Sequence, residues 1–281
     1  MLRPTSFAVI TLVCVILGAT SLPAQPKGGE TVLSRCWQFP AENLSGLISW
    51  KGQIFATSED GRIVSVSSSG DKLWETELGG EVEPGLAITD GVLLISTRSA
   101  TGETVLRRLS VQTGLPIGVT PAKEATATDA LPATRASIGD IQIIGDDHGR
   151  ITAEASDGTL IWRFKTGAAV SAVLAVNDAV VAISRDNFVY SLSARNGGLR
   201  WKRRLQGRVA HYGVSGTSLL VSSVDQHGAS LIDAVSGRVI GKVVMSTDED
   251  LIADPLLSTG GFILATPAGL SGYSVTGCST K

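Results

Sequence analysis

The sequence is poor in the residues that usually announce chemistry. It holds 3 Cys, 3 His and 2 Met in 281 residues, aromatic residues make up 5% and charged residues 18%, and the formal net charge is -2. Scattered histidines with so few thiols give no tetrahedral metal set, so no metal site is expected. A small net charge without a basic field excludes a long nucleic acid as partner. Long hydrophobic runs are also missing. The one apolar run, Phe7 to Leu17, follows Arg3 and ends in small residues and a breaker, Gly18 to Ala24. That order reads as a signal peptide over residues 1–24, and the run is shorter than the roughly 20 residues of a bilayer-spanning helix. The expectation is an exported protein, periplasmic or extracellular, with no stable membrane anchor after cleavage. Cys14 follows the bulky Val13, which does not suit a lipid-attachment signal.

What the chain has in abundance is glycine, 32 residues, with 43% hydrophobic content, enough for a large core built from short strands and tight turns. The pattern repeats. Ile54 to Trp74 reads IFATSEDGRIVSVSSSGDKLW, Ile141 to Trp162 reads IQIIGDDHGRITAEASDGTLIW, and Val180 to Trp201 reads VVAISRDNFVYSLSARNGGLRW. Two weaker copies run from Val92 to Ile117 and from Leu219 to Ile240, where the aliphatic residue stands for the terminal Trp. Each copy is a strand, an Asp-Gly type turn, an alternating strand, a Gly turn and a third strand; a fourth, innermost strand precedes it, as in Leu86 to Thr89 or Val173 to Val176. Trp37, Trp74, Ile117, Trp162, Trp201 and Ile240 follow one another at intervals of roughly 40 residues, the period of a four-stranded propeller blade.

The prediction is therefore an all-β fold, a six-bladed β-propeller of four-stranded blades forming one domain over residues 33–278. The last blade lacks an outer strand, and Leu33 to Phe39 (LSRCWQF) has the phase to supply it, so the N-terminal strand closes the ring by joining the C-terminal blade. Residues 122–137 (AKEATATDALPATRAS) break the rhythm and read as a long surface loop. Cys36 and Cys278 are either a disulfide or two unrelated thiols in an oxidising compartment; ring closure puts them on neighbouring strands, which predicts the bond.

The aliphatic strand, Asp-Gly, aliphatic strand, Gly turn and Leu-Trp of these copies resemble the PQQ-like (quinoprotein-type) β-propeller repeat, most clearly in IFATSEDGRIVSVSSSGDKLW and DDHGRITAEASDGTLIWRFKTG. The family includes quinone-dependent dehydrogenases and non-catalytic scaffolds such as BamB of the outer-membrane assembly machinery. The dehydrogenases are eight-bladed and carry an adjacent cysteine pair, which this chain does not have. BamB-like scaffolds are usually eight-bladed and lipid-anchored too, features not expected here, so the resemblance implies the fold first. Joined to the absence of a catalytic set, it implies the BamB-like, non-catalytic branch: no bound cofactor, PQQ included, and a protein partner in the cell envelope.

For a site, Glu83, Ser171, His211 and Asp254 fall just before innermost strands, around the expected channel mouth, where propellers commonly bind ligands. Four unlike residues without a nucleophile-base pair make no catalytic set, so no catalytic residue is expected. Glu83, His211 and Asp254 are ligand or partner candidates. Trp50 is out of phase with the other tryptophans and is an interface candidate. Arg203 and Arg204 lie in the one basic cluster, which suits an anionic partner or an edge that discourages strand pairing. The turns at Asp60, Asp147, Asp186 and Asp225 read as turn chemistry rather than a cation ring. Non-catalytic scaffolding is the leading expectation; the alternatives are a small quinone-dependent oxidoreductase or a carbohydrate- or small-ligand-binding propeller using the central channel.

Overall fold

The computed structural model describes residues 31–83, 85–121, 134–246, 249–258 and 260–278. The expected signal segment, residues 1–24, lies outside them, as does most of the expected loop.

Every regular element described is a strand, and the strands form six sheets. The first blade holds β3 (Leu44–Trp50), β4 (Gln53–Ser58), β5 (Arg62–Ser67) and β6 (Lys72–Glu77), from the innermost strand outward. The second has a broken inner strand, β7 (Glu81–Val82) and β8 (Ala87–Thr89), both paired with β9 (Val92–Arg98), then β10 (Thr104–Ser110) and β11 (Pro116–Pro121). The third is β12 (Arg135–Ile138), β13 (Ile141–Gly145), β14 (Arg150–Glu154) and β15 (Leu160–Lys165), and the fourth β16 (Val170–Val176), β17 (Ala179–Ser184), β18 (Phe188–Ser193) and β19 (Leu199–Arg204). The fifth is β20 (Val209–Ser215), β21 (Ser218–Ser223), β22 (Gly228–Asp233) and β23 (Val239–Val244), and the sixth β24 (Leu256–Ser258), β25 (Gly261–Thr266) and β26 (Gly269–Ser274).

The last blade is completed from the other end of the chain. Strand β2 (Arg35–Phe39) pairs antiparallel with β26, Phe39 against Leu270 and Trp37 against Gly272. Cys36 and Cys278 form the disulfide, with Cα atoms 5.2 Å apart across a sequence separation of 242. Tying off so long a loop contributes about 5 kcal/mol in the chain-entropy account. Closing the blade with the N-terminal strand also leaves β26 with a partner on each side.

Two details depart from the sequence reading. The end of the expected 122–137 loop is strand, because Arg135 to Ile138 pair with β13 and form the innermost strand of the third blade. A fifth strand, β1 (Thr31–Val32), adds to the outer edge of the fifth blade and runs parallel to β23, Thr31 against Gly241 and Val32 against Lys242.

The core consists of the seams between blades, because both faces of each inner sheet are apolar. Ile143 and Ile151 of the third blade meet Val180 and Leu192 of the fourth. Val181 and Ile183 on the other face meet Leu219 and Ile232 of the fifth. Leu220 and Leu231 meet Phe262 and Leu264, Ala265 and Leu270 meet Ile54 and Val66, and Phe55 and Ile63 meet Leu93 and Ile95. The one remaining seam, between the second and third blades, has no such cluster among the described residues.

Candidate functional site

The β20 strand opens with a bulge between Val209 and His211, and the same irregularity recurs at Ser45 in β3 and Ser171 in β16. A bulge re-aims the side chain beside it. It places His211 Nδ1 3.3 Å from Asp254 Oδ1, while the Tyr212 backbone N–H donates to the same oxygen at 3.2 Å. Burial, with the Asp254 charge, raises the Tyr212 hydroxyl pKa. The His211 side chain is 25% exposed and that of Asp254 60%. The pair can accept and donate hydrogen bonds to a ligand. Among the described residues no hydroxyl or thiol is hydrogen-bonded to His211, so the pair lacks the nucleophile an acyl-transfer site requires.

The other predicted positions are dispersed. Glu83 accepts a hydrogen bond from Arg98 Nε at 2.8 Å and from the Thr104 hydroxyl at 3.4 Å, both within its own blade. Trp50 ends β3, packs half-buried at the seam between the first two blades, and carries Lys51 Nζ 4.4 Å above its ring. Arg203 donates from Nε to the Gly237 carbonyl at 2.6 Å and so ties the fourth blade to the fifth. Arg204 is exposed beside Asn187 and Asp225 in a shallow depression. The structure thus brings together His211 and Asp254 and places Glu83, Trp50, Arg203 and Arg204 elsewhere.

The turn aspartates bind their own loops. Asp146 accepts from Arg150 Nε at 2.7 Å and from the Arg150 backbone at 2.8 Å, which hold its carboxyl below the usual range. With Asp147 and His148 it forms a group of ligand atoms within 4.8 Å of one another, all on one turn and two of them exposed. Asp186 reaches the preceding connection: its carboxylate accepts from the Gly167 N–H at 2.8 Å, the Phe188 N–H at 3.1 Å and the Tyr190 hydroxyl at 2.6 Å. Burial opposes the charge on Asp186, but these donors prevail and lower its pKa; burial and the neighbouring carboxylate push Tyr190 up to about 12.

A groove of about 630 Å³ lies beside the disulfide, lined by Trp37, Ser69, Ser258, Phe262, Tyr273 and Cys278 among others. Sequence reasoning missed it because its walls come from both ends of the chain and from a turn of the first blade.

The tryptophans have a repeated task. Trp74 Nε1 donates to the Val111 carbonyl at 3.0 Å, Trp162 to Ala194 at 2.7 Å, Trp201 to Ala234 at 3.0 Å and Trp37 to Ser68 at 2.9 Å, each on the following blade. Each ring lies on a turn glycine of that blade: a Cβ on Gly114, Gly197, Gly237 or Gly70 would stand 2.4 to 2.7 Å from the ring. These glycines also hold positive φ, 69° at Gly197 for example, so the position needs glycine twice over.

Residues 147–244 match the family model of the outer membrane protein assembly factor BamB. This stretch is similar to that family. The matched stretch begins within the copy ending at Trp162, spans the copy ending at Trp201 and runs to the end of β23. Two solved structures are similar to most of the chain. The computationally designed Ika8 protein is 16% identical, with 82% of this chain and 70% of that one covered at a TM-score of 0.45. BamB from Moraxella catarrhalis is 18% identical, with 87% and 74% covered at a TM-score of 0.39. No match is found among curated proteins.

Proposed function

We propose that this protein is an exported, non-catalytic PQQ-like propeller that binds a protein partner in the cell envelope, and that its finer role lies in outer-membrane protein assembly. The match of residues 147–244 to the BamB family model carries the reading. Two features are in keeping with it. The polar turn groups Asp146 and Asp186 are engaged in holding loops, and a disulfide joins the two ends of the chain at the sixth blade, as suits an oxidising compartment. The role needs rigid surfaces on a stable scaffold and no cofactor.

The test is cross-linking of the tagged mature protein in its native envelope, followed by mass spectrometry, with a tagged unrelated exported protein as control. The expected result is reproducible capture of an outer-membrane barrel or one of its assembly factors. Capture of nothing above the control, together with a spectral change on adding PQQ and Ca²⁺ to the purified protein, would overturn the scaffold role in favour of a quinone-dependent oxidoreductase.

A further inference from the structure

The Trp-on-Gly lock fails at two seams, and the chain repairs only one of them. Strand register shows which residues stand in the Trp position. Trp74 pairs with Ser65, Trp162 with Ala153 and Trp201 with Ser191. The matching partners in the weak copies are Gly118, opposite Arg108, and Gly241, opposite Leu231. The Trp position is therefore empty in the second and fifth blades, and Ile117 and Ile240, which the sequence pattern aligned with the tryptophans, stand one residue earlier, beside the bulge.

In the fifth blade the vacancy is filled. Strand β1 adds to the edge of β23, the Leu33 N–H donates to the Lys242 carbonyl at 2.8 Å, and the Leu33 side chain lies where a Cβ on Gly241 would meet it at 2.7 Å. Gly241 is buried as a result, and Leu33 is 7% exposed.

In the second blade none of the described residues fills it. A Cβ on Gly118 would meet no described atom within 4 Å, and the same is true of Gly158, which holds in the third blade the turn position that Gly197 and Gly237 hold in the fourth and fifth. Gly158 is exposed where Gly114, Gly197 and Gly237 are buried. No described strand pairs with the outer edge of β11. That edge is unlike the others. From Leu115 to Pro121 it reads LPIGVTP, without a charge, and Leu115, Ile117 and Val119 are 65%, 57% and 57% exposed. The position of Val119 holds Glu75 in β6, Arg163 in β15, Lys202 in β19 and Lys242 in β23. Charged edges deter strand addition, and an uncharged apolar edge invites it.

We infer that the β11 edge, with the open position at Gly118, is an acceptor for an extended, uncharged segment of a partner protein, added parallel to β11 with one aliphatic or aromatic side chain seated over Gly118. The Thr31–Leu33 segment on β23 is the same arrangement within this chain. Neutral edge and neutral segment match in charge, and Pro116 and Pro121, which have no N–H to offer, confine the pairing to the residues between them. This rests on the protein-binding reading and names the surface and the chemistry it recognises.

The probe is a synthetic peptide, Gly-Thr-Val-Leu-Ser-Gly, which carries residues 31–34 between glycines, titrated into the purified isotope-labelled protein and followed by amide chemical shifts. Saturable shifts are expected at Ile117, Gly118 and Val119 and none on β19. Gly118→Trp, which supplies the missing lock from within, should weaken binding at least tenfold. Val119→Lys, which restores the edge charge without touching the vacancy, should do the same. Binding unchanged in Val119→Lys, shifts of equal size on β19, or no saturable shift at millimolar peptide would overturn the inference. So would a dimer of the free protein that Val119→Lys dissociates, since the face then belongs to a second copy. The two proposals fail separately: peptide binding at β11 without an envelope partner removes the assembly role alone, and a captured partner that cross-links elsewhere removes the β11 surface alone.

Discussion

The seam between the fourth and fifth blades and the seam between the second and third are written in the same repeat and differ in what stands at the Trp position. In the first, Trp201 lies on Gly237, donates to Ala234, and has Val181, Ile183, Leu219 and Ile232 packed inside it. In the second, Gly118 replaces the Trp, Gly158 lies uncovered, and no buried cluster joins the blades among the described residues. The seam between the fifth and sixth blades explains what the difference means. It too has glycine at the Trp position, yet it is sealed, because a strand from elsewhere in the chain brings Leu33. The repeat thus specifies a socket, and the socket can be filled by the blade's own Trp or by an added strand.

Breaking an occupied seam should cost most. Trp162 is 7% exposed and holds the seam of the third and fourth blades, so Trp162→Ala should lower unfolding stability by about 3 to 5 kcal/mol, measured by urea denaturation. Emptying the repaired socket comes next: Leu33→Ala should cost about 2 to 4 kcal/mol and release β1, visible as faster amide exchange at Val32 and Leu33. The glycines beneath the sockets should then separate the two kinds of seam. Gly197→Ala drives a Cβ to 2.7 Å from the Trp162 ring, whereas Gly158→Ala meets nothing within 4 Å. Both carry the left-handed backbone penalty of about 1 to 2 kcal/mol, so Gly197→Ala should cost about 2 kcal/mol more than Gly158→Ala; equal losses in thermal unfolding would refute the open socket.

The smallest effect should come from the polar tie beside an occupied seam. Tyr190→Phe removes the hydroxyl donated to Asp186 and should cost about 1 to 2 kcal/mol at neutral pH. The Tyr190 pKa is raised to about 12, so its contribution is complete below the ordinary value near 10 and is lost as pH rises through the window from there to about 12. The Asp186 pKa is lowered, so its contribution is present above the ordinary carboxylate value and is lost as pH falls through the lowered one. Stability measured against pH should show the alkaline loss in the parent protein and not in Tyr190→Phe.

The blade period, the five copies and the strand order were readable in the sequence because each is local. Alternation, Asp-Gly turns and recurring tryptophans are set within about 40 residues. The same locality misaligned the weak copies. Ile117 and Ile240 look like substitutes for Trp along the chain, and only the cross-strand register, shifted by the bulge in the outer strand, shows that Gly118 and Gly241 hold the position. Of the site residues, His211 and Asp254 were both expected just before innermost strands; His211 instead lies within β20, at its opening bulge, and Asp254 precedes β24. Arg203 read as surface charge because its acceptor, the Gly237 carbonyl, is 34 residues away on the next blade.

The sequence by itself determined that the chain folds as repeated four-stranded units whose outer strand closes from the N-terminus, and it pointed to the pairing of Cys36 with Cys278, since period, turn residues and phase are properties of short windows. Only the tertiary structure decided which sockets are filled, that Leu33 substitutes for a Trp across the ring, and that β11 presents an uncharged apolar edge beside an empty position. Those facts depend on side chains meeting across seams from segments up to about two hundred residues apart, and the free energy of such a meeting comes from the fit of the two surfaces rather than from either segment alone.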